Sequence, residues 1–238
     1  MSVFANLVER LADLLQPLFH ASAAAAAIIV FTALVRLLVH PLSRAAARGQ
    51  RARAALQPKV AELRKKHAKN PEKLRKAVLE LHAEEKVAPL SGCLPSLLQL
   101  PAFFLLYHLF SNSTIGGDGN GLLTHQLFAA PLGGRWADAL GDGGVFGGAG
   151  LVYLALFAVV AAVATFNYVR TKRMAAAGGP LPVGDGDERV PGFAAVGRIM
   201  PFMSYLTIVT VAVVPLAAAL YVVTSTTWSA VERAVLYR

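Results

Sequence analysis

Charge is what this sequence has least of. Asp, Glu, Lys and Arg make up 16% of its 238 residues, against 55% hydrophobic residues. Soluble domains run near about 25% charged, so an ordinary soluble domain is excluded. Cysteine is almost absent. The single Cys93 excludes an intrachain disulfide, and no cluster has metal-ligand spacing, so no metal is expected. There is no G-x-x-x-x-G-K-[ST] phosphate loop, and no nucleotide or other cofactor is expected. The apolar runs are continuous rather than alternating, which argues against a β-barrel. The N-terminus lacks a basic start followed at once by an apolar core, so it does not read as a cleavable signal peptide.

What charge there is has one dominant sign. Lys and Arg number 23 against 14 Asp and Glu, a net charge of +9. With a mean hydropathy of +0.52, the chain reads as an α-helical integral membrane protein. Its cations then mark loops beside anionic lipid, or a surface that meets RNA.

One stretch organises the rest. Ala21–Val35 is almost wholly apolar, then come Arg36, three more apolar residues, and His40-Pro41-Leu42-Ser43-Arg44. Its length suits a membrane span. A guanidinium in hydrocarbon costs about 2.5–3.5 kcal/mol on insertion scales. Arg36 therefore either has a task inside the membrane or reaches for the interface along the roughly 6–8 Å to Pro41. Ahead of it, Val3, Phe4, Leu7, Val8, Leu11, Leu14, Leu15, Leu18 and Phe19 recur at three- and four-residue steps, with Glu9, Arg10 and Asp13 off the stripe. That pattern reads as an amphipathic interfacial helix over 1–19, the alternative being an extension of the span.

Beyond Pro41 the chain is basic. Leu56, Val60 and Leu63 define one helix face, and Leu74, Val78 and Leu81 another. Asn70-Pro71 between them has the form of an N-cap followed by a proline at the first helical position. An antiparallel helical hairpin is expected over 43–88, with Lys59, Arg64, Lys65, Lys66, Lys73, Arg75 and Lys76 on its surface. A plain solvated basic loop is the alternative. Further spans follow at 93–110, 151–169, 197–213 and 215–231, after the first at 20–41. The segment 111–150 falls on the extracytoplasmic side and 170–196 on the cytoplasmic side. Within the outer segment, 122–130 reads as a short interfacial helix and Trp136 as an interface anchor. The expected fold is all-α: five transmembrane helices, a cytoplasmic hairpin between the first two, and an N-terminal interfacial helix. The positive-inside rule places the N-terminus outside and the C-terminus in the cytoplasm. The scattered histidines read as interface or loop residues, and Cys93 as a packing residue.

The string Pro89-Leu90-Ser91-Gly92-Cys93-Leu94-Pro95-Ser96-Leu97-Leu98-Gln99-Leu100-Pro101-Ala102-Phe103-Phe104 resembles the N-P-x-x-G-C-L-P-x-x-x-Q-x-P-x-F-F signature of the YidC/Oxa/Alb family of membrane protein insertases. Leu56-Gln57-Pro58-Lys59 and Asn70-Pro71-Glu72-Lys73-Leu74 are similar to that family's hairpin landmarks, and Val35-Arg36 with Pro41-Leu42 to its first span. Ala88 stands where the family usually has Asn. Pro215-Leu216-Ala217 stands where it tends to have Pro-Ala-Gly. The chain also stops soon after the last span, without the long basic tail some members use on the ribosome.

The resemblance implies a non-enzymatic insertase or chaperone of a bacterial plasma membrane. It implies a hydrophilic groove, open to cytoplasm and lipid, in which Arg36 receives client segments. Gln99, Thr165, Asn167, Ser225 and Thr226 are the other expected groove residues; each also reads as an ordinary interhelical hydrogen-bonding residue. The implied partners are nascent membrane protein clients, anionic lipid, the ribosome and a general secretion channel, with no small-molecule substrate. Two other functions fit the pattern less closely. A small transporter or channel gated by Arg36 calls for an intramembrane carboxylate partner, which the five spans lack. A lipid- or ribosome-binding scaffold would depend on the hairpin rather than on Arg36.

Overall fold

A computed structural model describes residues 2–85, 104, 107–108, 110–112, 114–115, 118–176 and 200–236. The signature string up to Phe103, with Gln99 and Cys93, lies outside the described residues, as do most of 93–110 and residues 177–199.

Helix α1 (Ser2–Phe19) is followed by a 3-10 turn, His20–Ser22, and by α2 (Ala23–Lys66). His20 takes the left-handed backbone region at φ 48°, and α1 packs on α2 through Val8 and Ala12, which join the core cluster of Ala24, Ala27 and Ile28. Leu7, Leu14 and Leu18 stay exposed on α1.

The 44-residue α2 carries Pro41 and Pro58 inside it. The sequence divides span from hairpin at Pro41, but the helix does not. A proline removes one intrahelical hydrogen bond, and the helix runs on through Ala45–Ala47, which favour it. The first arm of the hairpin is thus the continuation of the Arg36 helix.

Its C-terminal arm pairs with α3 (Pro71–Glu84). Leu56 and Val60 are buried there, and His82 beside them is buried with its Nδ1 2.8 Å from the Val78 carbonyl. The Asn70 side chain accepts from the Lys73 N–H at 3.0 Å, with Pro71 at the helix start. Lys59 pairs with Glu85, and that carboxylate holds the Lys59 ammonium above the ordinary lysine range. Because the stripes are narrow, the cap matters. Asn70→Ala should loosen the first turn of α3 by about 0.5–2 kcal/mol. Hydrogen exchange of the 71–74 backbone in the full chain would speed up several-fold; unchanged exchange would show that packing alone holds the turn.

The segment after Phe110 is not a helix over 122–130. It holds two short antiparallel pairs, β1 (Thr114–Ile115) with β2 (Asp118–Gly119) and β3 (Gln126–Leu127) with β4 (Ala130–Pro131). A 3-10 turn, Gly121–Thr124, lies between them. Glycine and turn residues outweigh any helical period here. A six-residue helix α4 (Trp136–Gly141) follows, its first turn closed by the Asp138 carboxylate accepting from the Arg135 N–H at 2.8 Å. The Trp136 ring meets Tyr153 and Phe157 edge-on at 5.8 and 5.2 Å.

Helix α5 (Gly148–Ala176) is long and apolar, and it continues past 169 through Arg170–Arg173. A 3-10 segment, Met200–Tyr205, leads into α6 (Leu206–Val213), and α7 (Leu216–Leu236) closes the fold. Val214 is extended, as a residue before proline must be, so α6 and α7 are joined by Val214 and Pro215 alone. Among the described residues two helical stretches are long and apolar enough to cross a membrane: Asn6–Lys66, taken through the His20–Ser22 turn, and Gly148–Arg173; Phe202–Val213 is a shorter apolar helix.

Helices α2, α5 and α7 run parallel. Arg36, His40 and Arg51 of α2 reach Ser225, Glu232 and Leu236 of α7 in the same order. Gly134 O accepts from both Tyr153 and Leu216, near the starts of α5 and α7, while Arg170 reaches the Arg233 carbonyl at their far ends. The basic residues at 44–51, 170–173 and 233 therefore share one end of the bundle, and the strand-bearing loop caps the other.

Candidate functional site

Helix α7 lies at the centre and changes character halfway along. Leu216–Val223 is apolar and buried throughout. Its first N–H groups, which a helix leaves unpaired, donate to the loop: Leu216 to Gly134 O at 2.8 Å and Ala217 to Leu132 O at 2.9 Å. Leu132, Ala130 and Phe110 are fully buried around that end. The described residues of the loop thus pack closely on the start of α7.

From Thr224 the helix becomes rich in hydroxyls: Thr224-Ser225-Thr226-Thr227-Trp228-Ser229. Thr227 Oγ1 and Trp228 Nε1 are buried with no hydrogen-bond partner among the described residues. Into this half projects Arg36. Its Nε donates to Ser225 Oγ at 3.1 Å, and its Nη2 donates to Ser225 O at 3.2 Å and also to Ser225 Oγ. One turn earlier, Thr32 turns its hydroxyl onto its own helix, donating to Ile28 O at 2.7 Å, so it does not compete. Arg36 is half-buried, Ser225 buried. Among the described residues no carboxylate hydrogen-bonds Arg36, and its Nη1 makes no hydrogen bond. A half-buried cation is left with an unpaired nitrogen beside the Ser225 hydroxyl, an arrangement able to receive an anionic or polar group.

The other expected groove residues lie differently. Thr226 donates to Val222 O and Val223 O on its own helix, at 2.8 and 3.1 Å. Thr165 bonds Ala161 O at 2.7 Å and the Tyr205 hydroxyl at 3.0 Å, tying α5 to the 3-10 segment. Asn167 accepts from Arg233 at 3.5 Å, nearer the basic end. Of these residues, only Ser225 meets Arg36; Gln99 lies outside the described residues. On the hairpin, Lys65, Lys66, Lys73, Arg75 and Lys76 are exposed, whereas Lys59 is engaged by Glu85.

The sequence reading overlooked two residues. His40 Nδ1 and the Glu232 carboxylate lie 2.6 Å apart, one turn below Arg36. Glu232 falls one residue beyond the expected last span, so it escaped the search for intramembrane carboxylates. His40 stands four residues after Arg36, hence on the same face of α2, a signal that could have found it. A cavity of about 190 Å³ sits at the other end of the bundle, bordered by Glu9, Asp13, Gln16, His20 and His125. Among the described residues no group of His, Cys, Asp and Glu is placed to hold a metal ion.

Long apolar helices and a half-buried cation against the hydroxyl-rich half of α7 fit a helical integral membrane protein. Residues 15–238 match the family described as 60Kd inner membrane protein, and the chain belongs to this family, the YidC/Oxa family of the cell membrane. Curated relatives that carry the name Membrane protein insertase YidC include the following three. That of Clostridium perfringens is 42% identical over 87 residues, covering 37% of either chain. That of Chlorobium phaeovibrioides is 41% identical over 100 residues, 42% of this chain and 17% of the relative. That of Magnetococcus marinus is 44% identical over 81 residues, 34% of this chain and 15% of the relative. The matched regions thus span little more than a third of those relatives at most.

Proposed function

We propose that this chain is a membrane protein insertase and works without enzymatic chemistry. It admits the hydrophilic end of a client into a groove centred on Arg36 and releases the client's apolar segment sideways into lipid. The observation that carries this reading is the Arg36–Ser225 contact: a cation held in the hydroxyl-rich half of α7, whose other half packs against the loop around Leu132. A charged group crossing hydrocarbon alone faces several kcal/mol. A polar recess reaching part-way shortens that path, and the fixed guanidinium pairs transiently with a client carboxylate. Burial of about twenty apolar residues in lipid then drives the client onward.

The proposed topology has five spans, with 1–19 at the outer interface, the N-terminus outside, and the hairpin and C-terminus in the cytoplasm. The shared basic end of α2, α5 and α7 supports that orientation. The exposed cations of the hairpin suit anionic lipid, a ribosome or a secretion channel as partners.

The test is insertion by the full chain reconstituted in phosphatidylethanolamine–phosphatidylglycerol liposomes. The client is a single apolar span preceded by a short tail carrying two aspartates, and tail translocation is read by protease protection. Translocation should exceed that of protein-free liposomes several-fold. Equal translocation would end the insertase reading.

A further inference from the structure

The His40–Glu232 pair has no part in the account of Arg36 given so far, yet its position relates it to Arg36 directly. Arg36 and His40 are four residues apart on α2, and Ser225 and Glu232 are seven apart on α7, so each pair shares a helix face. The two contacts, Arg36 with Ser225 and His40 with Glu232, are successive rungs between the same parallel helices. Glu232 is close enough to Arg36 to act on its charge, as are Tyr221 and Arg233. Arg233 is itself turned toward Asn167 of α5. The Glu232 side chain is 13% exposed and that of His40 33%, so the carboxylate is largely withdrawn from water and held by the imidazole.

A carboxylate freed from His40 has the Arg36 guanidinium as a neighbouring cation: Arg36 stands four residues, about 6 Å of helix rise, from His40 on α2. A charge-assisted pair between them would satisfy the open donor of Arg36. It would also occupy the position a client carboxylate needs. Held on His40, Glu232 leaves Arg36 available.

We propose that Glu232 and His40 set the groove's preference for acidic client segments: Glu232 is an internal competitor for Arg36, and His40 is the positioning residue that holds it aside. The proposal rests on the insertase reading above. It assigns to two further residues a control over which clients the arginine serves.

The experiment uses the full chain in the same liposomes with two clients, identical except that one tail carries two aspartates and the other two asparagines. The readout is the ratio of acidic-tailed to neutral-tailed client inserted. His40→Ala should lower the ratio by about tenfold, the scale of one charged hydrogen-bond competitor. His40→Gln, which keeps a donor for Glu232, should hold it within about threefold of wild type. Glu232→Gln should raise it, and the double variant His40→Ala/Glu232→Gln should behave as Glu232→Gln. An unchanged ratio in His40→Ala overturns the proposal. So does a double variant as low as His40→Ala, since His40 would then act through packing. If wild-type protein inserts neither client above protein-free liposomes, the insertase reading itself fails and the proposal falls with it.

Discussion

Arg36→Ala lowers insertion of an acidic-tailed client by about ten- to a hundredfold, the equivalent of the 1.5–3 kcal/mol carried by a hydrogen bond to a charged group. The size follows from where the guanidinium sits. It is half-buried, it spends two of its nitrogens on Ser225, and its third nitrogen, Nη1, is open. In that setting an ionic contact is stronger than in water. Arg36→Lys keeps the charge but loses the planar fork. The lysine should therefore fall between alanine and wild type, with its ammonium unable to hold Ser225 and a client carboxylate in one plane. Neutralising Lys65 and Lys66 on the hairpin should cost less than Arg36→Ala, because both are exposed and screened by salt. Protease protection in proteoliposomes reads all three. Insertion of the acidic-tailed client by Arg36→Ala at the wild-type rate would remove the arginine from the mechanism for that client.

The second large effect is on stability. Leu132→Ala should destabilise the fold by about 2–5 kcal/mol, the usual range for truncating a buried leucine. Leu132 is fully buried where the loop meets α7, and its carbonyl accepts the Ala217 N–H at 2.9 Å. The cavity would open beside Ala217, Ala218 and Ala219, whose small side chains are also fully buried. Small residues cannot expand to fill it. Leu132→Met, which keeps the volume, should cost less than about 1.5 kcal/mol. Thermal unfolding of the purified proteins in one detergent compares them, and an alanine variant that melts with wild type would show that the loop packs loosely on the bundle.

How much of this was legible in the sequence depended on range. The hairpin was legible because its signals are local. Leu56 and Val60 recur at a four-residue step, and Asn70-Pro71 starts a helix in any context. Pro41 misled for the same reason: a local break signal says nothing of neighbours that sustain a helix, and α2 runs through it. The 111–150 segment carries no hydrophobic period, so neither its two strand pairs nor the ring contacts of Trp136 with Tyr153 and Phe157 could be foreseen. At the site, Arg36 stood out as a charge in an apolar run, and Ser225 as a hydroxyl in the last apolar helix. The link between them spans 189 residues, and that from His40 to Glu232 spans 192. Only the parallel packing of α2 on α7 reveals that the two pairs form adjacent rungs.

The most direct measurement is thiol accessibility beside Arg36. With Cys93 replaced by serine, Ser225→Cys places a single thiol where the Arg36 fork lands while leaving the arginine intact. Sealed vesicles of known orientation are treated with a charged, membrane-impermeant thiol reagent from one side at a time. The account predicts labelling from the side that carries the basic ends of α2, α5 and α7, and protection from the side closed by the loop around Leu132. Labelling from the loop side, or from neither, would contradict a polar groove open at one end.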